Sequence, residues 1–205
     1  GRKGLGVAVA DGKLYAVGGR DPIEFHESVE CLDLKNVGKG WQEVAEMSLQ
    51  RNGVGVAVAD GKLYAVGGKD YDESLKSVEY LDLKDVARGW QKVGAEMSVG
   101  RKGLGVAVAD GKLYAVGGRD PIEFHESVEC LDLKNVGKGW QEVAEMSLQR
   151  NGVGVAVADG KLYAVGGKDY DESLKSVEYL DLKDVARGWQ KVGAEMSVGR
   201  KGLGV

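Results

Sequence analysis

The sequence is poor in several residue types, and each scarcity excludes a class of protein. Two prolines, without a Gly-X-Y period, exclude collagen, and two cysteines are too few for a disulfide scaffold. No apolar run comes near the roughly 18 residues of a membrane span, so we expect no membrane partner. Lys and Arg number 28 against 32 Asp and Glu, without a basic block, so we expect no nucleic-acid partner.

Glycine is the exception, because it accounts for 33 of 205 residues and recurs at fixed intervals. Residues 1–106 recur unchanged at 100–205, an offset of 99 residues. Within that unit, residues 2–44 align with 51–93, with 30 of 43 positions identical. One extra residue then enters, so that Val-Ala-Glu at 44–46 becomes Val-Gly-Ala-Glu at 93–96. The chain therefore contains four units, at 2–50, 51–100, 101–149 and 150–199, with 200–205 left over.

Each unit contains four short segments with the pattern of β-strands. Two β-rich runs flank Asp11-Gly12, a strong hairpin signal because a type I′ turn needs positive φ at both central residues. A segment with period-two alternation follows, and a shorter one then begins at Trp41. In the first unit we expect strands near 5–10, 13–18, 28–34 and 41–47.

Four antiparallel strands repeated about every 50 residues are typical of a propeller blade, and no stretch shows the helical period of a solenoid. We therefore predict an all-β fold in which residues 1–205 form one propeller domain with four blades. The Gly-rich first strand suits the innermost position, where backbones approach closely. The tryptophan of each unit is expected to fill the wedge between neighbouring blades.

The repeated motifs resemble the kelch repeat. In every unit they run Arg-x-Gly-x-Gly-Val-Ala-Val, Asp-Gly-x-Leu-Tyr-Ala-Val-Gly-Gly, Ser-Val-Glu-x-Leu-Asp, Gly-Trp and Met-Ser. The double glycine and the Tyr and Trp spacings are marks of that family, and they cover nearly the whole chain. The resemblance implies a propeller of four-stranded blades and, most often, protein–protein recognition of acidic peptide segments. A minority of kelch proteins are copper-dependent oxidases, although propellers host many unrelated roles.

Five arginines, each just before an innermost strand, are candidates for ligand binding: Arg2, Arg51, Arg101, Arg150 and Arg200. Their shared position predicts a ring of guanidinium groups at one rim of the channel, able to bind carboxylates or a phosphate. In kelch proteins that bind acidic peptides, arginines at the matching position contribute to the pocket. The resemblance therefore implies an acidic peptide or an anion as partner. The alternative is that each arginine pairs with a nearby glutamate or caps a turn.

The connections between the second and third strands vary most between units. Units one and three carry Arg-Asp-Pro-Ile-Glu-Phe-His-Glu at 20–27 and 119–126, whereas units two and four carry Lys-Asp-Tyr-Asp-Glu-Ser-Leu-Lys at 69–76 and 168–175. Loops on a rigid scaffold often carry recognition, and exposed aromatic side chains can anchor a partner. The candidate partner-binding residues are Phe25, Tyr71, Phe124 and Tyr170. The alternative is a simple solvated connection.

The sequence lacks the usual motifs of catalysis and metal binding. It has no Gly-x-Ser-x-Gly elbow, Walker A loop or complete dinucleotide fingerprint. The carboxylates at 70–73 lack the EF-hand spacing. A copper oxidase would need His and Tyr ligands converging on the channel, whereas the two histidines, His26 and His125, lie in peripheral loops. We therefore expect no enzyme activity, no metal and no cofactor.

The two cysteines bear on the cellular compartment of the chain, because their positions do not allow a disulfide between them. Cys31 and Cys130 occupy the same position in units one and three, too far apart in a ring for a disulfide. Free thiols are typical of a reducing compartment, and the first residues lack the basic-then-apolar pattern of a secretory leader. We therefore expect a cytoplasmic location or recombinant expression in the cytoplasm.

The two copies of the 106-residue segment are identical even at surface positions. Surface substitutions usually change stability by no more than about 0.5 kcal/mol, so random mutation should have made the copies differ there. We therefore expect a constructed protein, with a recent duplication as the alternative. The first functional hypothesis is an engineered symmetric propeller that serves as a folding or assembly scaffold with no evolved ligand. The second is an interaction module that binds an acidic segment through the arginine rim.

Residues 200–205 copy the start of an innermost strand, which bears on ring closure. In a closed ring of four blades, residues 2–7 would already fill that position. An unpaired strand edge is a template for aggregation, and propellers can have more than four blades. We therefore expect this chain to belong to a larger ring, completed by further blades or by self-association. A closed four-blade ring is the alternative.

Overall fold

The computed structural model describes residues 1–203 as a chain of β-hairpins. In the second repeat, φ is 50° at Asp60 and 73° at Gly61, both positive as a type I′ turn requires. Ala59 and Lys62 pair directly across this turn. Equivalent Asp-Gly turns with positive φ close the first hairpin of the other three repeats.

Sixteen strands form four antiparallel sheets, each with its four strands in sequential order. Blade 1 contains β1 Gly6–Ala10, β2 Lys13–Val17, β3 Val29–Asp33 and β4 Gln42–Val44. Blade 2 contains β5 Gly55–Ala59, β6 Lys62–Val66, β7 Val78–Asp82 and β8 Gln91–Lys92. Blade 3 contains β9 Gly105–Ala109, β10 Lys112–Val116, β11 Val128–Asp132 and β12 Gln141–Val143. Blade 4 contains β13 Gly154–Ala158, β14 Lys161–Val165, β15 Val177–Asp181 and β16 Gln190–Lys191.

The all-β propeller prediction is confirmed, since the helical segments within residues 1–203 are four 3-10 turns: Val37–Lys39, Val86–Arg88, Val136–Lys138 and Val185–Arg187. The expected strand limits hold for the first three strands of blade 1 and are too long for the fourth. After Val44 the chain keeps a backbone hydrogen bond from Met47 N–H to the Glu27 carbonyl, at 3.0 Å, and buries the Met47 side chain. Within the described residues, no helix is long and apolar enough to cross a membrane.

The Gly-rich strands are innermost, as predicted, and pack side by side in the order β1, β5, β9, β13. Glycine permits this approach because a side chain would strike the next blade. A Cβ at Gly105 would lie 2.9 Å from the Val155 Cβ and 3.2 Å from the Val153 carbonyl oxygen. These atoms belong to the adjacent inner strand and its lead-in segment, so they cannot move independently of blade 4.

Gly105→Ala is therefore expected to push blades 3 and 4 apart and to lower the free energy of unfolding by about 1–3 kcal/mol. Urea denaturation followed by circular dichroism measures this change. Gly137→Ala is the matched control, because a Cβ there would have no atom within 4 Å. Equal stability of the two variants would contradict the close approach of the inner strands.

Three hydrophobic clusters hold the blades together, one at each junction between consecutive blades. In the middle junction, Tyr64 and Val66 of blade 2 pack with Leu113 and Leu131 of blade 3. Equivalent residues join blades 1 and 2 and blades 3 and 4. Among residues 1–203, no such cluster joins blade 4 to blade 1.

The tryptophans lie at these junctions, as predicted, except in blade 1, where Trp41 is 46% exposed. Trp90 donates its indole N–H to the Ala45 carbonyl of the preceding blade at 2.7 Å, and Trp189 makes the equivalent bond. The buried Trp140 Nε1 has no hydrogen-bond partner among the described residues. The extra residue Gly94 lies in the blade 2 segment that supplies this carbonyl elsewhere, so the junction between blades 2 and 3 differs from the other two.

Residues 200–203 sit against blade 4 in the manner of the lead-in to a further inner strand. Gly202 N–H donates to the Gly152 carbonyl at 2.8 Å, and Gly167 N–H donates to the Arg200 carbonyl at 2.8 Å. Equivalent bonds connect each earlier pair of consecutive blades. The strand expected to start here would begin at residues 204–205, which lie outside the described residues.

Candidate functional site

Three of the five candidate arginines are fully buried, each with 0% of its surface exposed: Arg51, Arg101 and Arg150. In blade 3, Arg101 donates to the Glu129 Oε1 atom from Nη2 at 2.9 Å and from Nε at 3.2 Å. Its other hydrogen bonds go to the Gly117 carbonyl and to the Ser127 carbonyl and hydroxyl.

The Glu129 carboxylate also connects two blades. Its Oε2 atom accepts the Ser98 N–H of blade 2 at 2.8 Å, so the ion pair in blade 3 is joined to blade 2.

This arrangement leaves the Arg101 guanidinium no surface for a ligand. Burial lowers the pKa of Arg101, while a hydrogen bond and the charge of Glu129 oppose that shift. Arg51 with Glu79 and Arg150 with Glu178 form the same network, with ion-pair distances of 2.7 Å. The predicted exposed ring of guanidinium groups is therefore wrong for these three residues, and pairing with a nearby glutamate, the alternative, is what the structure contains.

The two outer arginines differ from the buried three because each lacks one neighbouring blade. Arg2 contacts Glu30 at 3.2 Å, and its side chain is 21% exposed. Arg200 is exposed. Its main chain makes the junction bonds seen for the other arginines.

A second set of cations lies next to the buried arginines, on or beside the segments that lead into the inner strands lining the central channel; we call the channel end at these segments its mouth. In blade 1 the sheet continues beyond its named strands through single bridges that place Lys3 beside Arg20 and Arg20 beside Phe25. Blade 3 repeats this row as Lys102, Arg119 and Phe124, while the even blades have Asn, Lys and Ser at these positions. The six cations of these rows form the basic mouth: Lys3, Arg20, Lys69, Lys102, Arg119 and Lys168.

The cations of the basic mouth have no carboxylate partners of their own in the described part of the chain. The aspartate that follows Arg20, Asp21, instead accepts the backbone N–H groups of Ile23 and Glu24. Burial lowers the pKa of Lys102, and the charges of three mouth cations from three blades lower it further: Arg119, Lys69 and Arg20.

The predicted aromatic residues flank this basic mouth in two pairs. Phe25 stacks on Tyr71 of the next blade with ring centroids 4.7 Å apart, and the Phe25 N–H donates to the Tyr71 hydroxyl. Phe124 and Tyr170 form an equivalent pair at 4.6 Å. The tyrosines are more than half exposed. The mouth arginines of blades 1 and 3 lie 5.9 Å and 5.7 Å from the Phe ring centroids, within cation–π range.

His26 belongs to a loop cluster that could hold a metal by residue type, with ligand atoms of Asp21, Glu24 and His26 within 4.8 Å of one another. The geometry instead places the two carboxylates beside different nitrogens of the imidazole ring. Asp21 Oδ2 lies 3.3 Å from Nε2, while Glu24 Oε1 lies 3.9 Å from Nδ1, on the other side of the imidazole ring. At the equivalent His125, burial and the nearby Arg101 lower the pKa. The acids therefore bracket the ring and do not converge on one nitrogen.

Sequence reasoning missed the basic mouth although a signal for it was present. The loops after the second strand vary between repeats, yet their first residue is a cation in every repeat, at 20, 69, 119 and 168. The bridge that brings this residue beside residue 3, 52, 102 or 151 is not apparent from strand periodicity. The recurrent arginine of the motif is buried only where a blade lies on each side of it, as at Arg51, Arg101 and Arg150.

Comparison with known proteins matches the chain to a family model, and no individual curated protein matches it. The family is described as the KLHDC2/KLHL20/DRC7 Kelch-repeats domain, and its model matches residues 4–201. The match spans all four sheets and agrees with the propeller architecture. This chain therefore belongs to the kelch-repeat family, whose propeller fold commonly mediates protein–protein interaction.

Proposed function

We propose that this chain is a protein-interaction module whose basic mouth binds an acidic segment of a partner protein. The observation that carries the proposal is the convergence of cations from several blades without carboxylate partners. An acidic ligand would relieve the repulsion that these charges impose on Lys102. Carboxylates would also gain charge-assisted hydrogen bonds, which are stronger than neutral ones.

The stacked aromatic pairs give this surface a second kind of contact. Tyr71 and Tyr170 expose more than half of their surface, and their hydroxyls are held by the neighbouring Phe N–H groups. Rigid aromatic side chains bind at little entropic cost and are frequent in interaction sites. An acidic segment that also contains apolar residues fits this combination better than a free anion does.

Calorimetric titration with a hexaglutamate peptide tests the proposed site. Replacing Lys69 and Lys102 together by Gln is expected to weaken binding about tenfold or more, equivalent to about 1.4 kcal/mol. Raising ionic strength from 0.1 M to 1 M should weaken wild-type binding as well, because the Debye length falls from about 10 Å to about 3 Å.

The matched control is the double change Lys35→Gln and Lys134→Gln, which removes the same charge from exposed positions after β3 and β11. This control should bind as the wild type does. Equal losses in the two double variants would indicate nonspecific charge attraction and would contradict a site at the mouth. Absence of wild-type binding at low salt would contradict the proposed function itself.

The second candidate function is an engineered assembly scaffold with no evolved ligand or catalytic activity. The unchanged recurrence of residues 1–106 favours it, because a selected binding surface would tolerate divergence elsewhere on the blades. A cytoplasmic location suits both candidates, since Cys31 and Cys130 are free thiols. The titration bears on this choice, because loss of binding in the Lys69 and Lys102 variant alone favours a recognition site at the mouth, whereas equal losses in the two double variants, or no binding, favour the scaffold.

A further inference from the structure

The first and last blades expose apolar faces that the inner blades bury. The leading face of blade 1 comprises Val7, Val9, Leu14, Leu32, Leu34 and Trp41. Four of these are strongly exposed: Val7 by 47%, Val9 by 60%, Leu34 by 47% and Trp41 by 46%. The trailing face of blade 4 comprises Tyr163, Val165, Val177 and Met196, all of them half-buried.

The middle junction of the same chain shows what these faces can bind. The blade 3 counterparts of the leading face pack against blade 2, with Leu113 and Leu131 0% exposed. The blade 2 counterparts of the trailing face are buried there as well, with Tyr64 at 5% and Val66 at 0%. Residues 1–106 and 100–205 are identical, so blade 1 repeats blade 3 and blade 4 repeats blade 2, residue for residue.

We propose that the leading face of blade 1 docks on the trailing face of blade 4 of a second copy of this chain. The contact would reproduce the junction between blades 2 and 3. One polar contact supports the same pairing. Glu129 of blade 3 accepts the Ser98 N–H of blade 2, whereas its counterpart Glu30 has a 35% exposed side chain, and Ser197, the counterpart of Ser98, is exposed.

The proposed contact is head-to-tail, because two different surfaces meet. Each added copy then leaves one face of each kind free until a ring closes, so association can continue beyond a dimer. This proposal does not depend on ligand binding at the basic mouth. The two can fail separately, since the mouth lies at the channel entrance and the faces lie at the ends of the blade series.

Residues 200–203 occupy the place that residues 2–5 of the docking copy would take. The two segments have the same sequence, Arg-Lys-Gly-Leu, so one can replace the other without loss of contacts. Deleting residues 200–205 removes this competitor. The deletion is therefore expected to leave association unchanged or to strengthen it.

Analytical ultracentrifugation over a range of concentrations tests the proposal. The wild type is expected to sediment as multiples of 21.8 kDa. Val9→Glu places a charge on the leading face, and Ala158→Glu places one beside the trailing face at an exposed inner-strand position. Both residues are exposed, so both variants should fold. Each variant alone should remain monomeric, whereas Ile23→Glu, at an 89% exposed loop position, should associate as the wild type does.

Mixing the Val9→Glu and Ala158→Glu variants tests whether the two different faces bind each other. Val9→Glu keeps an intact trailing face and Ala158→Glu keeps an intact leading face, so an equimolar mixture should form a one-to-one dimer and stop there. A monomeric wild type at every accessible concentration would overturn the proposal. Association that survives Val9→Glu, a mixture that stays monomeric, or loss of association on deleting residues 200–205 would overturn it as well.

Discussion

Arg101→Ala is expected to lower the free energy of unfolding by about 3–5 kcal/mol, because it leaves Glu129 as an uncompensated buried charge. The substitution also removes the donors for the Gly117 and Ser127 carbonyls, which lie inside the blade. For a chain of this size, such a loss lowers the melting temperature by roughly 6–20 °C. Thermal denaturation followed by circular dichroism measures it.

The chain supplies its own control in Arg2, which holds the same position in an identical sequence context. Arg2 pairs with Glu30 at 3.2 Å, but both side chains are partly exposed. Exposed pairs contribute about 0–1 kcal/mol, so Arg2→Ala should change stability by no more than about 1 kcal/mol. If the two variants lose equal stability, the assignment of Arg101 to the core is wrong.

Leu131→Ala is expected to lower the free energy of unfolding by about 2–5 kcal/mol, because the Leu131 side chain fills the junction between blades 2 and 3. The cavity would be enclosed by residues of both blades, including Tyr64 and Met97, and so could not collapse without moving one blade against the other. Urea denaturation should show a lower midpoint, with the slope of the transition unchanged.

Leu32→Ala is the matched control, since Leu32 is the same residue in the same local sequence without a preceding blade. Leu32 is half-buried, whereas Leu131 is fully buried. Leu32→Ala should therefore lower the free energy of unfolding by less than half as much as Leu131→Ala does. The comparison needs dilute protein, so that no second copy covers the leading face. Equal costs in dilute solution would mean that blade 1 is already covered within the single chain.

The sequence was sufficient to predict the fold because its signals are local and repeated. Asp60-Gly61 between two β-rich runs dictates a hairpin, and the period near 50 residues admits few architectures. The innermost position of the Gly-rich strands followed from the same reasoning, and the contact of Gly105 with Val155 of the next blade gives its physical cause.

The site was only partly predictable, because burial depends on contacts between repeats. An arginine before each inner strand looks the same in the sequence whether it faces solvent, as Arg200 does, or lies inside a blade, as Arg101 does. The pairing partner Glu129 lies 28 residues away on the third strand of the same blade. The aromatic candidates lie between the second and third strands, but the bridge that extends the sheet to Phe25 and the stacking of Phe25 on Tyr71 depend on contacts between strands and blades that strand periodicity does not specify.

A crystal structure of the chain with bound hexaglutamate tests most directly the claim that recognition occurs at the basic mouth. The account predicts peptide carboxylates within about 4 Å of the Lys102 ammonium and of at least one neighbouring mouth cation, a typical ion-pair distance. It also predicts that Arg51, Arg101 and Arg150 keep their glutamate partners in the complex. A peptide bound away from the mouth, or one that draws a buried arginine out of its ion pair, would contradict it.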